Sequence, residues 1–262
     1  MFDYHMHSRV SFDGHATGLQ MALAAKKAGL KEICFTDHID YDPLEQMGVM
    51  AFDTDAYNQE YDDLEVPGLL IRRGMEFGMT VDNREQFKKD LARRHFDFVL
   101  GSIHFVDDLD VYFTPYWEGK TVFEAERRYL ETTLDCVRLH DDYDVLAHLT
   151  YIGKARHHHC PRSVPYGEHR ELIEEILKTV AARGKGLEIN TSGKDRCGGF
   201  LPTADIFRRF RELSGTIVTV GSDAHRTCDV GKGFSLASAT LEKMGFSELF
   251  YYEKKNPCPF SL

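Results

Sequence analysis

FDYHMH (residues 2–7) opens the chain with a run short enough to be one buried strand, and its two histidines stand two residues apart. Side chains at i and i+2 leave the same face of a strand, so His5 and His7 can converge on one point. Further runs of the same kind follow at EICFTDH (32–38), GLLIRRGME (68–76), FDFVLGSIH (96–104), YDVLAH (143–148), GLEIN (186–190) and TIVTVGSD (216–223). Helical patterns fall between most of them. In 171–183, Leu172, Ile173, Ile176, Leu177 and Val180 recur at helical spacing, and Gly184 supplies a C-terminal stop. In 203–213, Thr203 is placed to cap a helix that carries Ile206, Phe207, Phe210 and Leu213 on one face. Strand and helix alternate with no Gly/Ser linker or break in composition, which predicts one α/β domain over residues 1–262 with a parallel sheet. The sheet is either a closed barrel or an open doubly wound sheet. The irregular stretches 39–53, 105–120 and 153–167 are candidates for substrate recognition.

The polar residues decide between the two. His38 closes the second run, Glu76 the third, His104 the fourth and His148 the fifth, while Asp223 and His225 repeat the two-residue spacing after the last. All these groups therefore lie at strand C-termini, which in a parallel barrel form one face, the face that carries chemistry. A lone histidine at a strand end is commonly a hydrogen-bonded core residue. An ordered set of eight ligand-type residues at successive strand ends is what a metal site requires. Imidazole and carboxylate donors without thiolates suit Zn, Mn or Fe, and suit Mg less well.

Composition narrows the remaining classes. The 262 residues are 28% charged and 42% hydrophobic, ordinary globular values that exclude wholesale disorder and a fibrous fold. A formal charge of -10 argues against general affinity for nucleic acid, which calls for a basic face. No apolar run is long enough to span a bilayer, and MFDYHMHS lacks the basic-then-apolar layout of a secretory signal, so a cytoplasmic location and no membrane partner are expected. Cys34, Cys136, Cys160, Cys197, Cys228 and Cys258 are scattered without a CxxC pair, which suits reduced thiols.

HMHS (5–8), TDH (36–38), GME (74–76), GSIH (101–104), AH (147–148) and GSDAH (221–225), in that order, resemble the polymerase-and-histidinol-phosphatase (PHP) superfamily of metallohydrolases. The resemblance implies a distorted (β/α)7 barrel with two or usually three divalent ions, and it implies that His5, His7, His38, Glu76, His104, His148, Asp223 and His225 are their ligands. It implies one more ligand in SRVSFDGHA (8–16), either Asp13 or His15. Within the superfamily, DYHMHS, GSIHF, the helical stretch near 121–140 and EINTSG are most similar to histidinol-phosphate phosphatases. The chain departs from the expected pattern at Thr150, where an acidic residue would follow His148 by two.

A phosphate monoester resists hydrolysis because its own charge repels the nucleophile and water is a weak one at neutral pH; metal ions relieve both problems. The expected activity is hydrolysis of L-histidinol phosphate, a small phosphomonoester. A nuclease or nucleotide phosphoesterase is the second reading, and a non-catalytic metal-binding module the third. Glu76, as the carboxylate among histidines, is the natural bridge between ions, and Asp223 or His225 is placed to handle a proton. Arg196, with Asn190 and Ser192 in EINTSGKDR (188–196), is a candidate phosphate grip. In RHHHC (156–160) the side chains cannot all face one ion, so His158 alone is a candidate substrate contact, with Arg162 a further one. Asp107, Asp108 and Asp110 read as a solvated acidic loop that could also receive a cationic group. The sequence leaves the oligomeric state open.

Overall fold

The computed structural model describes residues 1–44, 48–155 and 162–262. Seven parallel strands among these residues follow the chain in space: β1 (Phe2–Met6), β2 (Glu32–Phe35), β3 (Leu70–Gly78), β4 (Phe98–Ser102), β5 (Val145–Leu146), β6 (Gly186–Asn190) and β7 (Val218–Gly221). Each is followed by a helix: α1 (Gly18–Lys27), α2 (Thr54–Tyr61), α3 (Arg84–Arg93), α4 (Val122–Leu139), α5 (Arg170–Ala182), α6 (Ala204–Glu212) and α7 (Phe234–Lys243). The sheet curls until its ends meet. Asp223 N–H donates to His5 O (2.7 Å) and His7 N–H to Ala224 O (2.9 Å), so the chain just past β7 pairs with the end of β1. The result is the nearly closed (β/α)7 barrel expected from the sequence, distorted where β5 contributes only two paired residues.

Two irregularities position the histidines. Between β1 and β2 the register runs Phe2↔Glu32 and Asp3↔Ile33 but then Met6↔Phe35, so β1 carries one extra residue around His5. Bulges of this kind re-aim side chains at the rims of barrels. After β2 the ladder lapses at Thr36 and Asp37 and resumes without a slip at His38–Ile39, where His38 lies beside Glu76 of β3. The gap leaves the Asp37 carbonyl free to accept from Glu76 N–H (3.1 Å).

The helices follow their sequence signals with one exception. Thr121 and Glu124 form a reciprocal capping box that starts α4, and Gly184 (φ 66°) ends the turn after α5. Thr203 stands at the N-terminus of α6 with extended backbone, but its hydroxyl donates to Asp205 and makes no capping bond. Asp205 instead accepts from Ile206 N–H (3.1 Å). One element was not expected from the sequence. An antiparallel ribbon, β8 (Glu248–Glu253) with β9 (Asn256–Ser261), crosses the N-terminal end of the barrel. Tyr252 lays its ring on Phe98 (4.8 Å between centroids), Phe260 meets Phe2 edge-on (4.7 Å), and Tyr4 OH reaches both Glu32 Oε1 (2.7 Å) and Tyr252 O (2.9 Å). The end of the barrel away from the histidines is thus sealed by aromatic packing.

Asp3 is the fixed point of barrel closure. Fully buried, it accepts from Ser222 N–H (2.9 Å), the Ser222 hydroxyl, Gly231 N–H (3.2 Å) and His5 N–H (3.3 Å). Asp3→Ala leaves several buried donors unpaired, each loss being worth about 1–3 kcal/mol. We expect a lower urea midpoint with little change in the slope of unfolding free energy against denaturant; an unchanged midpoint would show that closure does not depend on this carboxylate.

Candidate metal centre

At the C-terminal ends of the strands the predicted residues come together around Glu76. This carboxylate is fully buried, and its two oxygens face different histidines. Oε2 lies 2.9 Å from His5 Nε2, 3.4 Å from His7 Nε2 and 3.4 Å from His38 Nδ1, whereas Oε1 lies 2.7 Å from His148 Nε2 and 3.4 Å from His104 Nε2. Ser102 also donates its hydroxyl to Oε1 (2.6 Å). Asp223 stands opposite, with Oδ1 3.7 Å from His5 Nε2, 3.5 Å from His7 Nε2 and 3.6 Å from His225 Nδ1. The imidazole of His7 packs against those of both His38 (4.4 Å) and His225 (4.2 Å), which themselves lie 5.9 Å apart.

The donor set fits more than one cation. His5, Glu76 and His148, His5, His7 and Asp223, His7, His38 and His225, and His38, Asp40 and His104 each bring three ligand atoms within 4.8 Å of one another. His7 Nε2, His38 Nδ1 and His225 Nε2 are buried and make no hydrogen bond. Buried nitrogens are rarely left so, and a bound cation would satisfy such lone pairs.

Of the two residues proposed for the loop after β1, the structure brings Asp13 to the cluster. Its Oδ2 lies 2.9 Å from His225 Nε2 and 3.8 Å from His38 Nε2, while His15 is exposed and touches His225 only through its backbone N–H (3.1 Å). Two further carboxylates were missed in the sequence. Asp40, buried, places Oδ1 2.8 Å from His104 Nδ1 and Oδ2 3.0 Å from His38 Nδ1. Glu188, on β6, accepts from His5 Nδ1 (2.6 Å) and with its other oxygen accepts from His148 N–H (2.7 Å) and Asn190 Nδ2 (3.2 Å). Where an acidic residue was expected at Thr150, that residue is buried and Glu188 is the carboxylate that holds the His148 backbone.

Electrostatics bind the cluster into one unit. Burial pushes the Glu76 carboxyl up, but His5 and His38 beside it and the His104 and His148 contacts outweigh burial and hold it well below the usual range. Burial works against the imidazoliums of His5, His7 and His104, yet Glu188, Glu76, Asp223 and Asp40 raise all three, His7 to about 9. His148 and His225 go the other way, lowered chiefly by burial.

A cavity of about 590 Å³ opens over these groups, with Asp110, Tyr112, Phe113, Tyr151, Lys154 and Arg196 on its walls. Lys154, not anticipated, places Nζ 2.9 Å from both Asp223 Oδ2 and Ser192 Oγ. Ser192 Oγ lies 3.0 Å from Asp223 Oδ2 and lines the cavity, while Asn190 turns inward to brace Ser192 and Glu188. Arg196 reaches the cavity with its guanidinium over the Tyr112 ring (5.7 Å). Arg162 does not reach it: its guanidinium is taken by Glu126 (3.0 Å) and Glu168 (3.1 Å). The acidic loop is divided too, with Asp107 paired to Arg128 (2.9 Å) and Asp110 on the cavity wall, its carboxyl pushed up to about 6 by burial. His158 lies outside the described residues.

A barrel of this topology with imidazoles and carboxylates converging at its C-terminal face defines a metallohydrolase-type centre. The chain belongs to the PHP domain family, whose model matches residues 3–192. It is 33% identical over 258 residues, 97% of this chain and 98% of the other, to a Clostridium acetobutylicum protein named "Probable histidinol-phosphatase". It is 31% identical to the histidinol-phosphatase of Lactococcus lactis subsp. lactis over 94% of this chain and 92% of that one. A crystal structure of histidinol phosphate phosphatase from L. lactis, complexed with Zn, L-histidinol and phosphate, superposes with a TM-score of 0.88 at 29% identity and covers 98% of both chains.

Ligation requires neutral imidazole, and the carboxylates beside His5, His7 and His104 favour their charged forms, so entering ions should displace protons from them. Zinc added to the stripped chain in weak buffer at a pH of about 7 should release more than one proton per chain, and acidification should weaken binding. An indicator dye reads the release directly. Binding without it would mean that these histidines are already neutral.

Proposed function

We propose that the chain is a metal-dependent phosphomonoesterase that hydrolyses L-histidinol phosphate to L-histidinol and phosphate, with His5, His7, Asp13, His38, Glu76, His104, His148, Asp223 and His225 holding two or three divalent ions of the Zn, Mn or Fe type. The observation that carries this reading is the placement of Glu76 between two groups of histidines, one facing each carboxylate oxygen. A single structural ion takes a closed set of about four ligands. A buried carboxylate with imidazole nitrogens gathered at both of its oxygens would suit more than one ion. When bound, such ions neutralise phosphoryl oxygens and supply a nucleophile at neutral pH.

The protein's own groups then divide the remaining work. Lys154 and Arg196 bring positive charge to the cavity that Asp223 and Glu76 otherwise make negative, and both are placed to hold phosphate oxygens. Asp223 and His225 stand on the open side of the cluster, where they can take the proton of the nucleophile or return one to the leaving alkoxide. The cationic amine and the imidazole of histidinol find Asp110 and the aromatic side chains of Tyr112, Phe113 and Tyr151 on the same cavity's wall. A site that hydrogen-bonds such groups rejects analogues that lack them, because its own polar atoms are then left unpaired.

Three measurements test the reading. Under one metal condition, kcat/KM for histidinol phosphate should exceed that for a nucleoside monophosphate and for a single-stranded oligonucleotide; a lead for either of the latter would overturn the substrate and leave the metal centre standing. Glu76→Ala should abolish turnover and lower the metal content of the folded chain, since it removes the group shared by both sets of histidines. Arg196→Ala should raise KM about tenfold or more with metal content intact, and unchanged kinetics would retire Arg196 as a phosphate contact.

A further inference from the structure

The loop that follows β1 contains a buried serine, Ser11, whose surroundings leave it no choice of hydrogen bonds. Its Oγ lies 2.9 Å from Asp37 Oδ1, 3.0 Å from the backbone N–H of His38 and 3.0 Å from His7 Nδ1. Ser11 is 3% exposed and neither Asp37 nor His7 is exposed at all, so no solvent stands in for any of these partners. A hydroxyl has one proton and two lone pairs. The His38 N–H can only donate, which uses one lone pair, and the Asp37 carboxylate can only accept, which uses the proton. The second lone pair faces His7 Nδ1, which must therefore carry a hydrogen.

Asp37 is itself fixed in that role. Its Oδ1 also accepts from Ser8 N–H (2.9 Å), and its Oδ2 lies 2.5 Å from the hydroxyl of Tyr61 on α2. The arrangement reaches from an outer helix through a buried carboxylate and a serine to the Nδ1 edge of the His7 ring. The other face-edge of that ring, Nε2, has no hydrogen-bond partner and points into the space shared with Glu76 and Asp223.

We propose that Ser11, polarised by Asp37, is the positioning residue that fixes the tautomer of His7, keeping the proton on Nδ1 so that Nε2 presents a bare lone pair to a metal ion. Through the His38 N–H the same oxygen also pins the backbone of the neighbouring strand end, so one hydroxyl sets two of the candidate ligands. The inference rests on His7 being a ligand, as proposed above. Partners of this kind behind a ligating histidine typically change metal affinity by about 10–100-fold when removed.

The experiment separates this from a purely structural serine. In the metal-free chain labelled with 15N-histidine, with the pH raised until the ring is seen to be neutral, long-range NMR correlations should show His7 protonated at Nδ1. A His7 protonated at Nε2 would overturn the proposal even if no variant folded. Ser11→Ala should shift His7 towards the Nε2–H tautomer and weaken binding of zinc, measured by chelator competition, about 10–100-fold at one of the sites, with Ser11→Thr restoring both. A folded Ser11→Ala chain with the wild-type tautomer and wild-type zinc affinity would also overturn it. These readouts do not involve turnover, so they remain decisive if histidinol phosphate proves not to be the substrate.

Discussion

A carboxylate with no exposed surface, set among five imidazoles at the mouth of a barrel, is the constraint around which this molecule is organised. Alone in that position the charge of Glu76 would be costly to bury, and the imidazoles would be equally unfavourable as isolated cations. Together they offset one another, and every strand around the barrel is involved: β1 brings His5, the segment after β2 brings His38, β3 brings Glu76 itself, β4 brings Ser102, β6 brings Glu188 behind His5, and the ends of β5 and β7 bring His148 and Asp223. An open sheet could not gather groups from its first and last strands at one point. Closure of the barrel through His5, His7 and the chain after β7 is thus as much a condition of the site as the residues that fill it.

Close approach of so many like groups also requires that each ring be held from behind. His5 is held by Glu188, His104 by Asp40 and His7 by Ser11, and each of these supports is buried and has its own partners. The bulge in β1 and the gap after β2 give the strands the local freedom that ideal pairing would deny, and they fall at the two places where neighbouring histidines come within stacking distance. Irregular backbone here is matched to the positions of the side chains it carries.

The candidate ligands were legible because strand geometry turns a spacing of two into a shared face and an alternating chain turns strand ends into one rim. The same spacing would have found Asp40, two residues beyond His38, had the segment 38–40 been read as strand rather than as the start of a loop. Glu188 was hidden for another reason: in GLEIN it is a charge in the middle of a fully buried strand, and only the closed barrel shows that this face meets His5 and not apolar side chains. Arg162 drew notice as a cation near the histidine-rich tract, but its partners Glu126 and Glu168 are set by the packing of α4 against the chain before α5, which no local pattern reveals. The closing ribbon escaped because its turn is Lys254–Lys255, both with positive φ, in place of the glycine or asparagine that usually marks such a hairpin. Pro257 and Pro259 are tolerated on its outer strand because an edge needs no donor there.

That ribbon also bears on how the barrel tolerates its own centre. The histidine end concentrates charge, whereas the opposite end is packed by Phe2, Tyr4, Phe98 and Tyr252 and covered by β8 and β9. Hydrophobic burial is roughly proportional to area and indifferent to direction, so it can be placed where no chemistry is needed. Directional groups must sit where strands end and side chains can converge. The two demands are met at opposite ends of the same seven strands, and the fully buried rows between them, such as Val99 and Leu100 on β4 and Leu187 and Ile189 on β6, couple one end to the other. A strand that shifted to relieve repulsion among the histidines would have to drag its apolar residues out of register with the packed end. Rigid packing at one end is therefore what allows mutually repelling ligands to be held at the other before any ion arrives.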